Sequence, residues 1–379
     1  MKMTARERLM TVLKGGIPDH VPVAPDTSNM IPARLTGLPF WDLYLYRKIP
    51  IWKAYLACVK HFGFDSLMDG YADIRFESLG EIDHDRTEMI VFQNDSRIVT
   101  QTCRQANGRT FWDDRVRVYY RDNPPTGNIR PESIGLPAVP AHAEQIEGRT
   151  EWPTGEALLR LVKAEMGDRG LVGVSCGTSL LIHNQEEIYE FADNPERYHE
   201  KRDQLLDAVE KRFHMLMSLD VKPDFICTGG SGSLVFQSPQ TFRELALPIV
   251  KKVTALCQAH GIPSHLHSCG PETQLVRMAA EETDLTVIDP LEIPPMGDCD
   301  LRALKLAYGD RLVLKGNLHT TGVMLNGTPD DVIRAARQAI DDAAEGGRFI
   351  LSTGDQCGRD TPDENLLAMI ETARSYGCY

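Results

Sequence analysis

From about residue 165 the chain alternates short apolar runs with segments whose apolar positions recur three and four apart. The runs are 171-LVGVSCG-177, 224-DFICTGG-230, 263-PSHLHSCG-270, 285-LTVIDPLE-292, 311-RLVLKGNL-318 and 348-RFILSTG-354. Their near-continuous apolar character is that of strands buried on both faces of a parallel sheet. The segments between them, such as 238–261, 328–347 and 361–377, read as amphipathic helices, with Ser238, Thr328 and Thr361 as N-caps followed by Pro at the first helical position. Two earlier runs, 20-HVPVAPD-26 and 66-SLMDG-70, follow helical patterns at 4–15 and 51–62. Eight strand–helix units predict an α/β protein with a (β/α)8 TIM barrel, whose functional groups stand just past the C-terminal ends of the strands. A doubly wound open sheet is the alternative. It lacks its expected G-x-G-x-x-G after the first strand, and 229-GGSGS-233 has no third glycine.

One region departs from this pattern. Residues 88–120 alternate with period two around Asn107-Gly108, a type I′ turn signal, and lead into the Pro-rich loop 123-NPPTGNIRP-131. The expectation is a single TIM-barrel domain over 1–379, with 75–155 an inserted β-hairpin and loop subregion after the second barrel strand. That insertion reads as a lid or an oligomer contact.

Composition narrows the function classes. A formal charge of −13 and a pI near 5.4 argue against a nucleic-acid binder, which needs clustered Lys and Arg. No apolar run reaches the length of a membrane span and the N-terminus has no signal-like core, so a cytoplasmic protein with no membrane partner is expected. Nine scattered cysteines in such a chain read as reduced thiols, a minority of them ligands or nucleophiles.

The stretch 263-PSHLHSCGPETQ-274 supplies candidates for that minority. Side chains two apart on an extended segment point the same way, so His267 and Cys269 offer an imidazole and a thiolate to one point, a mixture that suits zinc. A buried histidine beside a structural cysteine has the same spacing. Two more features favour a metal: Glu292 ends the next strand, and Cys357 lies just past the last one, so all four would converge at the C-terminal rim. Asp26, Asp69, Asp289 and Asn317, also at strand ends, are candidates to orient substrate or ligands, Asp289, Asn317 and Glu292 as catalytic groups, though loop-capping residues look the same. His265, one step deeper, reads as a neutral core histidine with a hydrogen-bond partner, and Cys227 as a substitute ligand for Cys357.

The chain resembles the uroporphyrinogen decarboxylase superfamily, and within it the zinc- and corrinoid-dependent methyltransferases, including O-demethylase methyltransferases. The resemblance is carried by 4-TARERLMTVLKGGIPDHVPVAP-25, 237-QSPQTFRELALPIVKK-252, 265-HLHSCG-270, 289-DPLEIPPMGD-298, 315-KGNLHT-320 and 351-LSTGDQCGRDTPDENLLAMIETAR-374. It implies zinc ligands at His267, Cys269 and Cys357, with Glu292 matching a glutamate ligand of similar cobalamin-independent methionine synthases. It also implies cobalamin carried by a partner, since the Asp-x-His-x-x-Gly cobalt-binding signature is absent from the chain. The implied activity is methyl transfer from a methoxylated aromatic to the cob(I)alamin of a separate corrinoid carrier protein. The alternatives are methylcobalamin:thiol transfer of the coenzyme M type, a decarboxylase-like enzyme, or a non-catalytic binding barrel. For an aryl ether, Phe111, Trp112, Tyr119, Tyr120 and Met296 are candidate pocket residues. Against decarboxylation, the first strand leads into 22-PVAPDTSNMIPARL-35 rather than an Arg-Gln-Ala-Gly-Arg-Tyr loop, 104-RQANGR-109 falls in the hairpin, and such decarboxylases need no metal. A possible homodimer is implied by the resemblance alone.

Overall fold

The structure, a computed structural model, describes residues 2–72, 74–177 and 179–379. It divides into two compact units, one of residues 1–27, 59–70 and 159–379, the other of 28–58 and 71–158. In chain order the strands are β1 (Ser66–Met68), β2 (Arg86–Gln93), β3 (Arg97–Ala106), β4 (Arg109–Tyr120), β5 (Thr126–Ile129), β6 (Glu144–Gln145), β7 (Gly170–Ser175), β8 (Phe225–Thr228), β9 (Ser264–His267), β10 (Val287–Asp289), β11 (Val313–Leu318) and β12 (Phe349–Thr353).

In the first unit β1 and β7 to β12 form a seven-stranded parallel sheet in sequential order. The eighth member is short. Val23 makes only an isolated parallel bridge to Leu351. Yet Leu351 N–H donates to Pro22 O, Ala24 N–H to Leu351 O, and Asp65 N–H to Val23 O, so this segment joins β12 to the start of β1 and closes the ring. The expected barrel is present, with its first strand reduced because Pro22 and Pro25 lack the N–H that a longer ladder requires. The part of its interior next to the first helix is apolar: Leu67, Leu171, Phe225, Val287, Val313 and Ile350 cluster with Leu9, Val12 and Leu13 of that helix. Each such buried side chain contributes roughly 1.5–3 kcal/mol.

The helices follow the sequence reading with two differences. The segment 238–261 is two helices, Pro239–Leu245 and Leu247–His260. Pro248 cannot donate to Glu244 O, and Arg202 Nη1 donates to that carbonyl instead. Ser238 and Thr328 cap as expected, through Thr241 N–H and Asp331 N–H, but the last helix starts at Asp363 with Pro362, not Thr361, at the cap.

Charged groups tie the N-terminal ends of the barrel strands together. Arg8, on the first helix, donates to Asp19 Oδ1 at 2.7 Å and Asp65 Oδ1 at 2.6 Å, and Asp65 Oδ2 accepts from Val23 N–H. Asp224, just before β8, takes Arg6, Lys163 at 2.8 Å and the N–H of Val172. The carboxylate oxygens of Asp65 and Asp224 thus all have donors.

The second unit contains an antiparallel sheet in the order β5-β4-β3-β2-β6. The β3–β4 turn is at Asn107 and Gly108, with φ of 52° and 70° as a type I′ turn needs. More strands gather there than the two of a hairpin. Its core includes Leu45, Ile90, Ile98 and Tyr119, and Glu88 accepts from Thr100, Tyr119 and Arg149.

Candidate metal centre

Strand β9 brings His265 and His267 to the barrel axis, and its register with β10 sets Asp289 beside His267. Asp289 is 3 % exposed. Its Oδ1 lies 2.9 Å from His265 Nε2 and 3.1 Å from His267 Nδ1, and Lys315 of β11 donates to its Oδ2. Burial alone would raise this carboxyl, but Lys315, His265 and His267 hold it well below the usual range. The other nitrogen of His265 lies 3.0 Å from Asp69 Oδ2. Burial opposes charge on His265, yet Asp289 and Asp69 lift its pKa to about 9, so it is an imidazolium between two carboxylates rather than the neutral core histidine expected. Cys227 joins Asp69 and His265 within 4.8 Å. Burial and Asp69 push its thiol well up, so it stays protonated. This deeper layer is balanced: Lys315 and His265 offset Asp289 and Asp69.

The layer above it holds the other candidate donors. With Nδ1 on Asp289, His267 has Nε2 left, 3.7 Å from Asp355 Oδ1. Ligand atoms of Asp26, His267 and Asp355 lie within 4.8 Å of one another, and so do those of Cys269, Glu292 and Asp355. Asp355 is common to both groups. Burial raises Glu292, Asp355 and Cys269. Burial would lower His267, but Asp289, Asp26 and Asp355 raise it above its ordinary value, so the surroundings favour positive charge at this point. The donor types, imidazole, thiol and carboxylate, are those of a zinc site.

Local structure fixes these donors. Cys269 Sγ is 2.9 Å from Ser231 Oγ. Glu292 Oε2 accepts from Gly270 N–H at 2.6 Å. The loop carrying Glu292 is clamped from below, where buried Glu272 accepts from Leu291 N–H at 2.6 Å and Glu292 N–H at 3.4 Å. It is packed from above by Gly297, where a Cβ would stand 2.3 Å from Glu292 O and 2.7 Å from Gly270 O, so only glycine fits.

The residues named from sequence have distinct places. His267, Cys269 and Glu292 are in the outer layer, and Asp26 joins it. Asp289 orients His267, while Asp69 and His265 form the deeper pair. Asn317 Nδ2 donates to Leu291 O at 3.1 Å and so braces the Glu292 loop. Cys357 is in neither donor group. It is 1 % exposed, its N–H donates to Asp26 O at 2.9 Å, and burial together with Asp26 pushes its thiol up to about 12. Asp355 and Lys315 were missed. The signal for Asp355 was its position two residues past the end of β12, as Cys269 is two past the end of β9. Phe111, Trp112, Tyr119 and Tyr120 lie on β4 of the second unit, where Tyr119 is buried in the sheet's own core. Met296 is 60 % exposed and lines a small pocket with Glu292, Asn317 and His319.

Comparison with known proteins agrees with this barrel. Over residues 182–376 the chain matches the family described as Uroporphyrinogen decarboxylase (URO-D), a stretch that holds all of these donors except Asp26 and Asp69. A Methylcobamide:CoM methyltransferase MtbA of Methanosarcina mazei is 29% identical over 137 residues, 36% of this chain and 37% of that protein. Its counterpart in Methanosarcina acetivorans is 27% identical over 135 residues, with the same coverage. The matched stretch thus spans little more than a third of the length of these relatives. A solved structure, a methyltransferase from Methanosarcina mazei, covers 99% of both chains with a TM-score of 0.62 at 16% identity, a likeness of fold. No helix among the described residues is long and apolar enough to cross a membrane. Since the family match covers more than half of the sequence and contains the strands that build the site, the chain belongs to the uroporphyrinogen decarboxylase family.

Proposed function

We propose that this barrel is a metal- and corrinoid-dependent methyltransferase that moves a methyl group from a methylcobamide to a small thiol. The observation that carries the reading is the outer layer of the site. Asp355 is shared by two adjoining donor groups, Asp26–His267–Asp355 and Cys269–Glu292–Asp355, and a buried Asp355 oxygen there has no hydrogen-bond partner among the described residues. A divalent cation fits a donor set of imidazole, thiol and carboxylates. Bound there, zinc would act as a Lewis acid that keeps a substrate thiol in its nucleophilic thiolate form, with a methylcobamide supplying the methyl group.

The chain's own residues do the rest. His267 and Cys269 would hold the metal. Asp289 accepts from His267 Nδ1 and so turns Nε2 toward it, while Lys315 keeps Asp289 ionised. Glu292, fixed by Gly270 N–H, shares the layer from a loop rather than a strand. The chain lacks the cobalt-binding signature of corrinoid carriers, so a separate corrinoid protein approaching the open C-terminal end is the expected partner.

Thiol methylation is preferred over demethylation of a methoxylated aromatic because the curated relatives are named for the former. The aromatic residues offered for an aryl-ether pocket belong to the sheet of the second unit. The test is loss of the methyl–cobalt absorbance when metal-replete protein, methylcobalamin and a panel of small thiols are mixed, and its suppression by a chelator. Turnover of methoxyaromatics with cob(I)alamin and none of thiols would replace this reading with the other. No methyl transfer in either direction would remove both.

A further inference from the structure

The geometry points to a second binding site, at the N-terminal end of the barrel, that takes a small phosphate-bearing molecule. It is a cavity of about 710 Å³ lined by residues of the first unit, roomy enough for a small molecule rather than a lone ion. Its wall is built where strands begin. His20 precedes the short first strand, Phe64 and Asp65 precede β1, and Asp168 and Arg169 precede β7.

Charge on this wall runs against that of the chain. Acids outnumber bases overall, 54 to 41, yet the wall carries Lys2, Arg8, Lys60, Arg169 and Arg374 against Asp65 and Asp168. Arg8 is taken up by Asp19 and Asp65, and Lys60 stands 3.6 Å from Glu165 Oε2. Lys2, Arg169 and Arg374 make no ion pair among the described residues. Arg374 Nη2 donates to Gly63 O at 2.5 Å and Arg169 Nη1 to Met166 O at 3.2 Å, which leaves part of each guanidinium fork for an anion.

Two further features suit an anion. Thr4 and Ala5, at the start of the first helix (Ala5–Leu13), line the cavity, and the capping box there occupies the N–H groups of Thr4 and Glu7 but not those of Ala5 and Arg6. Spare N–H groups at the positive end of a helix attract phosphate. His20, 8 % exposed, lines the cavity too, with Nδ1 3.2 Å from Asp19 Oδ1 and Nε2 without a hydrogen-bond partner among the described residues. Burial and the nearby Arg8, Arg374 and Lys2 outweigh Asp19 and hold its pKa down at about 4, as a positive potential requires. A phosphate presents several oxygens at once to guanidinium forks and helix N–H groups, more than a single carboxylate can.

Isothermal titration calorimetry of the purified full chain with inorganic phosphate and with glycerol 3-phosphate, at fixed ionic strength, tests the site, with succinate as the carboxylate comparison. Both phosphates should bind one to one and raise the urea midpoint, since a ligand that binds the folded chain alone stabilises it. Arg374→Gln and Arg169→Gln, both exposed side chains, should each weaken binding about tenfold, the loss of one charge-assisted hydrogen bond. Asp168→Asn removes an acid from the wall and should tighten binding, a gain that a purely structural role would not give. Unchanged affinity in both arginine variants, weaker binding in Asp168→Asn, or succinate bound as tightly as phosphate would overturn the assignment. So would the absence of both heat and midpoint shift when wild type meets either phosphate.

Discussion

The two ends of the barrel both bury charge, and they treat it in opposite ways. At the N-terminal end Arg8, Asp19 and Asp65, and separately Arg6, Lys163 and Asp224, close on one another and on backbone N–H groups. At the C-terminal end the deeper layer of His265, Asp289, Lys315 and Asp69 is equally closed, but the layer above it gathers several acids and leaves Asp355 Oδ1 without a hydrogen-bond partner among the described residues. A closed network has nothing left to bind. An open one holds its groups ready for something absent from the polypeptide, which is why barrels place stability at one end and function at the other.

The largest effect expected from breaking this contrast is at the closed end. Arg8→Ala leaves two buried or partly buried carboxylates facing each other, and should lower the unfolding free energy by about 3–5 kcal/mol, measured by urea denaturation, with metal content per folded molecule unchanged. Next, Asp289→Asn removes the charge that orients His267, and a zinc-chelator competition should read an affinity about 10- to 100-fold weaker. Asp355→Gly should have the reverse sign on stability. By relieving the φ of 97° and the unpartnered oxygen it should stabilise the metal-free chain by about 1 kcal/mol while weakening metal binding. A loss of stability there would mean that the turn at Asp355 is held for folding rather than for function.

The smallest effect is in acid. Burial would raise Asp19, but the Arg8 guanidinium and Met3 N–H bring it down to about 2. A carboxyl with a depressed folded pKa stabilises above its unfolded value and loses that contribution as protons bind. The loss should fall between about pH 4 and pH 2. The urea midpoint of Asp19→Asn should therefore drop less over that interval than that of wild type.

Much of the barrel was legible because its strands are buried on both faces and its helices on one, so the period of apolar residues distinguishes them. The first strand was overstated, since an apolar run such as 20-HVPVAPD-26 does not reveal that two prolines deny it a ladder. The break before Leu247 was hidden for a similar reason: helical periodicity continues across Pro248 while the hydrogen bond does not. In the site, His267 stands on β9 as the sequence reading expected, whereas Cys269 and Glu292, expected on an extended segment and at a strand end, lie past the ends of β9 and β10. Lys315 was not legible, because a lysine in an apolar run gives no hint that a carboxylate waits on the neighbouring strand. Cys357 was read from its place past the last strand and from the family resemblance, and Asp355, two residues before it, carries no motif that marks it.

By itself, then, the sequence determined the eight strand–helix repeats and the supply of imidazole, thiol and carboxylate groups at their C-terminal ends. Both follow from local periodicity, which each segment carries without reference to the others. Which donors meet was decided only by the closed barrel. The register of β9 on β10, the salt bridge from Lys315 to Asp289 and the left-handed turn at Asp355 join residues far apart in sequence. Such meetings depend on strand order and on a few backbone angles, quantities that local composition does not encode.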